Sequence, residues 1–396
     1  MGLNDPTARQ PTLPRSLFLG AAIASVGGPL ALVALYFPGA SGGAITSAAR
    51  VAALAIIVFL APLAVWLGFS ERIASAGGLA AFVEAAAGRN AARVQAAVWI
   101  VSYFLYLPYT VTYVVYDVLP VVFPGLTPYR QSLELALPVA IVVLVLAPSV
   151  VAFGVLALIA AAQLVLSVLL GILAMSHVGG HVSSFTSSSS PHATATGVAT
   201  VSLLFVCISL PVFFGAEVRG GSRTVRRGLL LAYAGTAAVL LLVAVPLATV
   251  STSLSGAGLP GIAMAQAYGG RSLAVAIGVG SAASVAGLIV LEFLALGRLF
   301  HWLFELPVRL ALSMIAVPFL LADAVSLVNP DRFYSDLLRP SLIALWLSQL
   351  IVFAVFPLFR LRTSPQRVVS ALALAAVACA LSGYGLYTAI TGSLGS

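Results

Sequence analysis

The residues of this chain that can do chemistry are few, and most of them sit inside long apolar runs. The first run carries Ser25-Val26-Gly27-Gly28-Pro29 in its middle. A glycine in a helix interior costs about 1 kcal/mol relative to alanine and a proline about 3 kcal/mol. In a bilayer such an interruption persists only where the freed backbone groups find a neighbouring helix, water or a ligand. N–H groups at the start of a half-helix carry partial positive charge and suit a carboxylate; freed carbonyls at a half-helix end suit an ammonium or a cation. A zwitterion matches both sides of one gap. Ser25, Val26, Gly27 and Gly28 are therefore candidate solute-binding residues, with Ser25 Oγ adding a hydrogen bond. Close packing through small residues is the competing account.

A second apolar run, "SLLFVCISLPVFFGAEV", is interrupted by Pro211 and Gly215. Carbonyls freed by Pro211 would accept an ammonium, so Phe205, Ile208, Ser209 and Pro211 are candidates, the Phe205 ring lying over the solute as a gate. In "SYFLYLPYTVTYVVYD", Tyr103, Tyr106, Tyr109, Tyr113 and Tyr116 recur every three or four residues and share one helix face. Phenolic hydroxyls are costly in lipid unless paired. An interfacial belt accounts for Tyr116 and Tyr113; Tyr106 and Tyr109 lie deeper and are assigned to the solute pathway.

Carboxylates inside apolar runs are functional candidates by default. Glu292 is the deep one and is a candidate for proton coupling. Ser281 and Ser284, three apart on one face, are candidates for sodium coupling. Glu217 is placed at the inner end of its run, as a gate residue ion-paired with a loop arginine. Asp117 and Asp323 lie near the outer interface, where both are expected to be wet, with Asp117 a gate or structural residue. No metal or cofactor is expected. His177, His181 and His192 fall in an uncharged loop rich in Ser, Thr and Gly, and Gly179-Gly180 between the first two argue against a helix that would aim them at one ion. The chain has 4 His and 11 acids, and these are scattered, without the clustering an integral membrane enzyme needs.

These residues need a scaffold, and the composition defines it. The chain is 61% hydrophobic and 8% charged, with mean hydropathy +1.12, whereas a soluble domain is nearer 25% charged. Continuously apolar segments of about 20 residues indicate membrane helices rather than the short alternating strands of a barrel. Eleven spans are predicted, near 16–37, 46–69, 92–118, 133–151, 154–175, 197–217, 228–250, 272–300, 307–328, 338–359 and 368–391. All 19 basic residues are arginines, which speaks for positive membrane flanks rather than nucleic-acid binding. With a cytoplasmic N-terminus, 14 of the 19 fall on the inside and 5 outside, which predicts a multi-pass cell-membrane protein with an extracellular C-terminus. Cys207 and Cys379 both lie in apolar runs and no disulfide is expected. No cleavable leader is expected, because residues 1–15 are polar and the run after them is too long for one.

The two interrupted runs are the first and the sixth, five spans apart. Inverted-repeat transporters carry interrupted helices at corresponding places in their two halves. Three further segments carry a resemblance to a known family. "SAGGLAAFVEAAAGRNAARVQAAVWIVSYFLYLPY" resembles the glycine-rich segment that enters the third span of the amino acid–polyamine–organocation superfamily, with Gly77, Gly78, Phe82, Glu84 and Gly88 in the matching places. "EVRGGSRTVRRGLL" is similar to the family's stretch after span six, through Glu217, Val218, Arg219, Arg223 and Arg227, with Gly221 and Arg226 where the family has prolines. "FLALGRLF" resembles the family's element after span eight, with Arg298 in the matching place. The chain thus resembles an amino acid permease of that superfamily over about residues 16–359.

The resemblance implies an all-α polytopic membrane protein. Its five-plus-five inverted repeat, the LeuT-type fold, would carry one extra helix, with the first and sixth helices discontinuous. The first repeat would be 16–175, the Ser-rich extracellular loop 176–196, the second repeat 197–359, and the added helix with an extracellular end 360–396; residues 1–15 form a cytoplasmic tail. It also implies a secondary transporter, not an enzyme, that moves amino acids, neutral or apolar ones, across the cytoplasmic membrane. Substrate would sit at the unwound parts of spans one and six, and spans one, two, six and seven would rock against spans three, four, eight and nine. Coupling would be to H⁺ or Na⁺, and the lysine that some proton-coupled members place in span five is absent here. Amine or polyamine transport on the same fold, or passive facilitation, are the alternatives. The partners expected are a small-molecule substrate and the lipid bilayer, not nucleic acid.

Overall fold

The computed structural model describes residues 12–26, 29–37, 45–180, 183–187, 189–247, 249–250, 252–255 and 257–391. Among these the chain is helical throughout, apart from one isolated parallel bridge between Leu13 and Val218. Ten helices are long and apolar enough to cross a membrane. An eleventh crossing, the first, is split into Arg15–Ala24 and a second piece that begins at Pro29 and runs through a π-helical segment, Leu32–Tyr36. The other spans are Ala48–Ser70, Arg89–Val122, Pro124–Leu146, Ser149–Val178, Pro191–Phe214, Gly221–Leu247, Pro260–Phe304, Val308–Ser326, Pro330–Thr363 and Pro365–Thr391. The eleven predicted runs coincide with these in order.

Their ends differ from prediction because many helices continue past the hydrophobic layer, which about 20 residues cross. The eighth span extends over 45 residues and is divided at Gly270, whose φ of 78° no helix accommodates. Arg271 and Arg339, expected in outer loops, therefore lie within helices. The fourth span begins earlier than predicted, with a 3₁₀ segment, Pro124–Tyr129, leading into Arg130–Leu146. This places Glu134 inside the helix.

A short helix, Gly78–Ala87, precedes the third span. It is too short to cross and instead packs its apolar face under the end of the sixth span. Gly78 has φ +51°, and a Cβ there would stand 2.3 Å from the Phe213 ring. Glycine is required twice over, for the left-handed backbone and for the close approach. A comparable approach joins the eighth span to the first, where a Cβ on Gly261 would lie 2.4 Å from Ala34 Cα.

The third and tenth spans are clamped by a reciprocal pair of bonds: Ser102 Oγ donates to the Ser341 carbonyl and Ser341 Oγ to that of Ser102, both at 2.9 Å. The polar ties between loops gather at the membrane face that holds the N-terminus. Leu13 exchanges backbone bonds with Glu217 and Arg219, each at 3.1 Å. Glu71 takes Arg360 at 2.9 Å and Arg226 at 3.9 Å. At the opposite face Arg50 donates to Ser189 Oγ at 2.5 Å, tying the second span to the segment before the sixth.

Gly78→Ala forces a left-handed backbone that costs a non-glycine residue about 1–2 kcal/mol, before the Phe213 ring is displaced. We expect a lower melting temperature for the purified variant in detergent than for the parent protein. An unchanged melting curve would show that this contact does not support the sixth span.

Candidate functional site

The helix of the first span stops at Ala24, deep in the bundle. Ser25 N–H turns back to the Ala22 carbonyl at 3.2 Å, and Ser25 Oγ donates to the same oxygen at 2.6 Å. A serine hydroxyl that satisfies a carbonyl of the preceding turn competes with the helical ladder. Proline at the first position of the next piece suits a restart, since its missing N–H is not needed there. Ser25 and Val26 are both fully buried. The Ser25 hydroxyl is thus used by its own helix rather than held out to a solute. Gly27 and Gly28 lie outside the described residues.

The sixth span answers it. Ser190 caps its start by accepting from the Ala193 N–H at 3.1 Å, and the α-helix ends at Phe205. Its interruption is not an open gap: Val206–Phe214 continues as nine residues of 3₁₀-helix, all of them buried. Runs of 3₁₀ beyond four residues are uncommon, and a long one marks strain or a hinge. In this tighter register Pro211 withholds its hydrogen bond from the carbonyl three residues back, that of Ile208. The expected row of free carbonyls reduces to that one. Ser209 Oγ donates to the Val206 carbonyl at 2.9 Å and so also serves its own helix. Phe205 packs on Phe59 of the second span and Tyr233 of the seventh, with ring centroids 5.4 and 5.8 Å away. It fills the wedge between those spans rather than lying as a lid over a gap.

Three spans meet just past this junction. Tyr103 Oη of the third lies 3.8 Å from Cys207 Sγ of the sixth, and that thiol lies 3.8 Å from Glu292 Oε1 of the eighth. Glu292 is fully buried, and its second oxygen, Oε2, has no hydrogen-bond partner among the described residues. Cys207 was not among the site candidates although it stands between Phe205 and Ile208, and no feature of its type marked it.

The tyrosine face forms one aromatic column. From Phe213 it passes through Trp99 (4.5 Å), Tyr103 (4.2 Å), Tyr106 (6.2 Å) and Tyr109 (5.2 Å), and Tyr109 meets Tyr334 of the tenth span at 5.4 Å in edge-to-face contact. Tyr106, Tyr113 and Tyr116 are half-buried, and Tyr113 also stacks on Tyr334 at 6.1 Å. Tyr334 was missed because it lies in the polar lead-in to the tenth apolar run.

Around this centre the remaining candidates are dispersed. Ser284 Oγ donates to Gln163 Oε1 of the fifth span, while the buried Ser281 Oγ has no partner among the described residues. Glu217 pairs with Arg298 at 2.8 Å; the partner comes from the eighth span, not from a loop as expected. Arg298 is 1% exposed, donates also to the Leu294 carbonyl at 2.9 Å, and stacks 4.6 Å from the Phe214 ring centroid. A guanidinium tolerates such burial because its planar fork is paired and stacked at once. Asp117 is exposed, on a π-helical turn. Asp323 is not wet: it is 1% exposed, because the ninth span packs against the fourth there. His177 Nδ1 donates to the Leu173 carbonyl of its own helix at 2.9 Å and the ring stacks on Tyr268 at 4.8 Å; His181 lies outside the described residues. A cavity of about 540 Å³ opens between the ends of the third span and the start of the eighth, lined by Val122, Pro124, Leu259, Gln266 and Arg271 among others, away from Cys207 and Glu292.

No family model and no curated protein matches the sequence. Solved structures do match the fold. A manganese transporter of Eremococcus coleocola, in complex with an aromatic bis-isothiourea compound, is 11% identical and superposes with a TM-score of 0.62, covering 99% of this chain and 92% of its own. MHP1, a nucleobase-cation-symport-1 family transporter with bromovinylhydantoin bound, is 14% identical with a TM-score of 0.60, at 99% and 95% coverage. MhsT in complex with L-phenylalanine is 14% identical with a TM-score of 0.57, at 95% and 98%. Over nearly its whole length the chain therefore has the LeuT-type polytopic fold.

The buried Arg298 depends on Glu217 for its charge partner. Removing one member of a buried pair costs about 3–5 kcal/mol, and partial exposure of Glu217 reduces this to about 2 kcal/mol. Glu217→Gln should therefore lower the melting temperature by several degrees, and Arg298→Met on top of it should restore part of the loss. A double variant less stable than the single one would contradict the pairing.

Proposed function

We propose that the protein is a secondary active transporter that carries an amino acid, neutral or apolar, across the cytoplasmic membrane by alternating access. The observation that carries this reading is the junction at which the first helix stops at Ala24 while the sixth abandons α geometry at Phe205, beside a buried carboxylate. Half-helix ends offer N–H groups to a carboxylate and carbonyls to an ammonium. Support comes also from relatives in fold that are described as transporters or were solved with small molecules bound, L-phenylalanine among them.

In this reading the N-terminal face is cytoplasmic, because 14 of the 19 arginines cluster on it in the sequence. Residues 16–175 and 197–359 act as the two inverted halves, and 360–396 adds the last span and an extracellular end. The solute rests among Val26, Gly27, Gly28, Ile208 and the Ile208 carbonyl, with Tyr106 and Tyr109 lining its path. Glu217–Arg298 closes the cytoplasmic side, since it fastens the end of the sixth span to the eighth. Tyr109 against Tyr334 closes the other side. Opening either way requires one of these contacts to part while the other holds.

Coupling is assigned to a proton on Glu292 rather than to sodium at Ser281 and Ser284. Glu292 is a fully buried carboxyl that touches Cys207 of the sixth span through Oε1 and has no partner for Oε2 among the described residues. One observation favours a second reading, an amine carrier on the same fold: that same oxygen is a direct counter-charge for a solute ammonium.

The test is uptake of labelled amino acids and amines into proteoliposomes under imposed proton or sodium gradients, paired with thermal-shift binding of each solute. We expect a neutral amino acid to raise the melting temperature at millimolar concentration and to accumulate under a proton gradient. Glu292→Gln should then cut gradient-driven uptake at least tenfold and leave the solute's thermal shift intact. Loss of both in that variant would favour the amine reading. No shift with any amino acid or amine would overturn the substrate class.

A further inference from the structure

A second group of buried ionisable side chains lies where the third, fourth and ninth spans meet. Glu134 enters from the second turn of the Arg130–Leu146 helix and is 0% exposed. Its Oε1 lies 2.6 Å from Thr112 Oγ1 and 2.7 Å from Ser326 Oγ, whose one hydrogen is shared with the Asp323 carbonyl of its own helix at 2.6 Å. Asp323 sits one turn before Ser326 on the ninth span and is 1% exposed; Ser326 ties it to the same junction through those two contacts. Among the described residues, both oxygens of Asp323 and Oε2 of Glu134 are buried without a hydrogen-bond partner. Among the described residues neither acid has an ion pair.

The neighbouring ionisable groups do not supply the missing charge. Arg130, one turn before Glu134, holds its guanidinium 5.7 Å from the Tyr116 ring centroid, and Tyr116 itself borders Glu134. Asp117, beyond them, is exposed. Two buried carboxylates thus share one helix junction, with three oxygens that have no hydrogen-bond partner and no counter-ion among the described residues. Burying even one unpaired carboxylate costs several kcal/mol after relaxation, and a second like charge nearby adds to it. The donor set is oxygen alone, from three helices, which excludes soft metals. A proton removes the charge without a coordination shell.

We propose that Glu134 and Asp323 form a proton-binding carboxyl pair, with a proton held on at least one of their oxygens and the Thr112 and Ser326 hydroxyls positioning Glu134. The site is separate from the Tyr103–Cys207–Glu292 cluster, and it does not rest on the substrate reading. Bound, the proton lets the fourth and ninth spans pack; removed, it leaves two like charges between them. Such a pair titrates as a unit, and a proton bound only in the folded state stabilises the protein at low pH and ceases to do so as pH rises.

Infrared spectroscopy of the purified full chain in detergent, across a pH titration, tests this. We expect a carboxylic-acid C=O band that persists in Glu292→Gln and disappears in Asp323→Asn. The melting temperature should fall more steeply with rising pH in the parent than in Asp323→Asn. The proposal is overturned if Asp323→Asn keeps the band. It is equally overturned if Na⁺ or Ca²⁺ at fixed pH removes the band and raises the melting temperature of the parent but not of Asp323→Asn, since the occupant would then be a metal ion. Should Asp323→Asn fail to fold, Ser326→Ala keeps both acids and removes one hydrogen bond; it should shift the band's frequency, and an unshifted band counts against the pair.

Discussion

Inside a bilayer a polar atom that loses its partner has no water to turn to, and this constraint orders the whole molecule. Most hydroxyls meet it locally. Ser25, Ser209, Thr110 and Ser167 each donate to a carbonyl three or four residues back in their own helix. Others meet it across helices, as Ser102 and Ser341 do, or as Arg298 does with Glu217. Some buried atoms do not meet it among the described residues: neutral ones such as the Trp99 indole nitrogen and the Gln349 amide, and the carboxylate oxygens Glu292 Oε2, Asp323 Oδ1 and Asp323 Oδ2. A carboxylate is the costliest of these to leave unpaired.

The same constraint explains the form of the sixth span. Proline at 211 denies the helix one bond, and an open gap there would expose several more backbone groups. Tightening to 3₁₀ from Val206 to Phe214 keeps neighbours bonded at i, i+3 and confines the loss to one carbonyl. The cost is a strained run of nine residues, held by Phe213 against Gly78 and Trp99 and by Phe214 beneath Arg298. A strained segment anchored at its end by one ion pair has two ways to relax, and this is the property an alternating mechanism requires.

Much of this was legible in the sequence. Each span announces itself by some twenty apolar residues, so their number and order follow from hydropathy alone. Gly27-Gly28-Pro29 and Pro211 mark the two interruptions, and the spacing of the tyrosines places them on one face. The rest depends on long-range packing that residue types do not carry. Pro211 signals a break without saying whether the chain opens or tightens. Glu134 stands second in its predicted run and reads as a residue of the span's end until Thr112 and Ser326 are seen to converge on it. Asp323 reads as interfacial because it lies a turn from its helix end. An arginine near a span end reads as a snorkelling flank, which hid the burial of Arg298. The Ser25 hydroxyl reads as a solute ligand, whereas its nearest carbonyl takes it first.

The central claim is that a small solute occupies the junction of the first and sixth spans, and the protein carries its own reporter there. Cys207 lies at that junction, buried, and Cys379 lies half-buried in the last span, far along the chain from it. The rate of alkylation of each by a membrane-permeant maleimide, with and without the transported solute, is the direct measurement. The account predicts that saturating solute slows modification of Cys207 several-fold and leaves Cys379 unchanged. Equal modification of Cys207 with and without a solute that the protein demonstrably carries would contradict it.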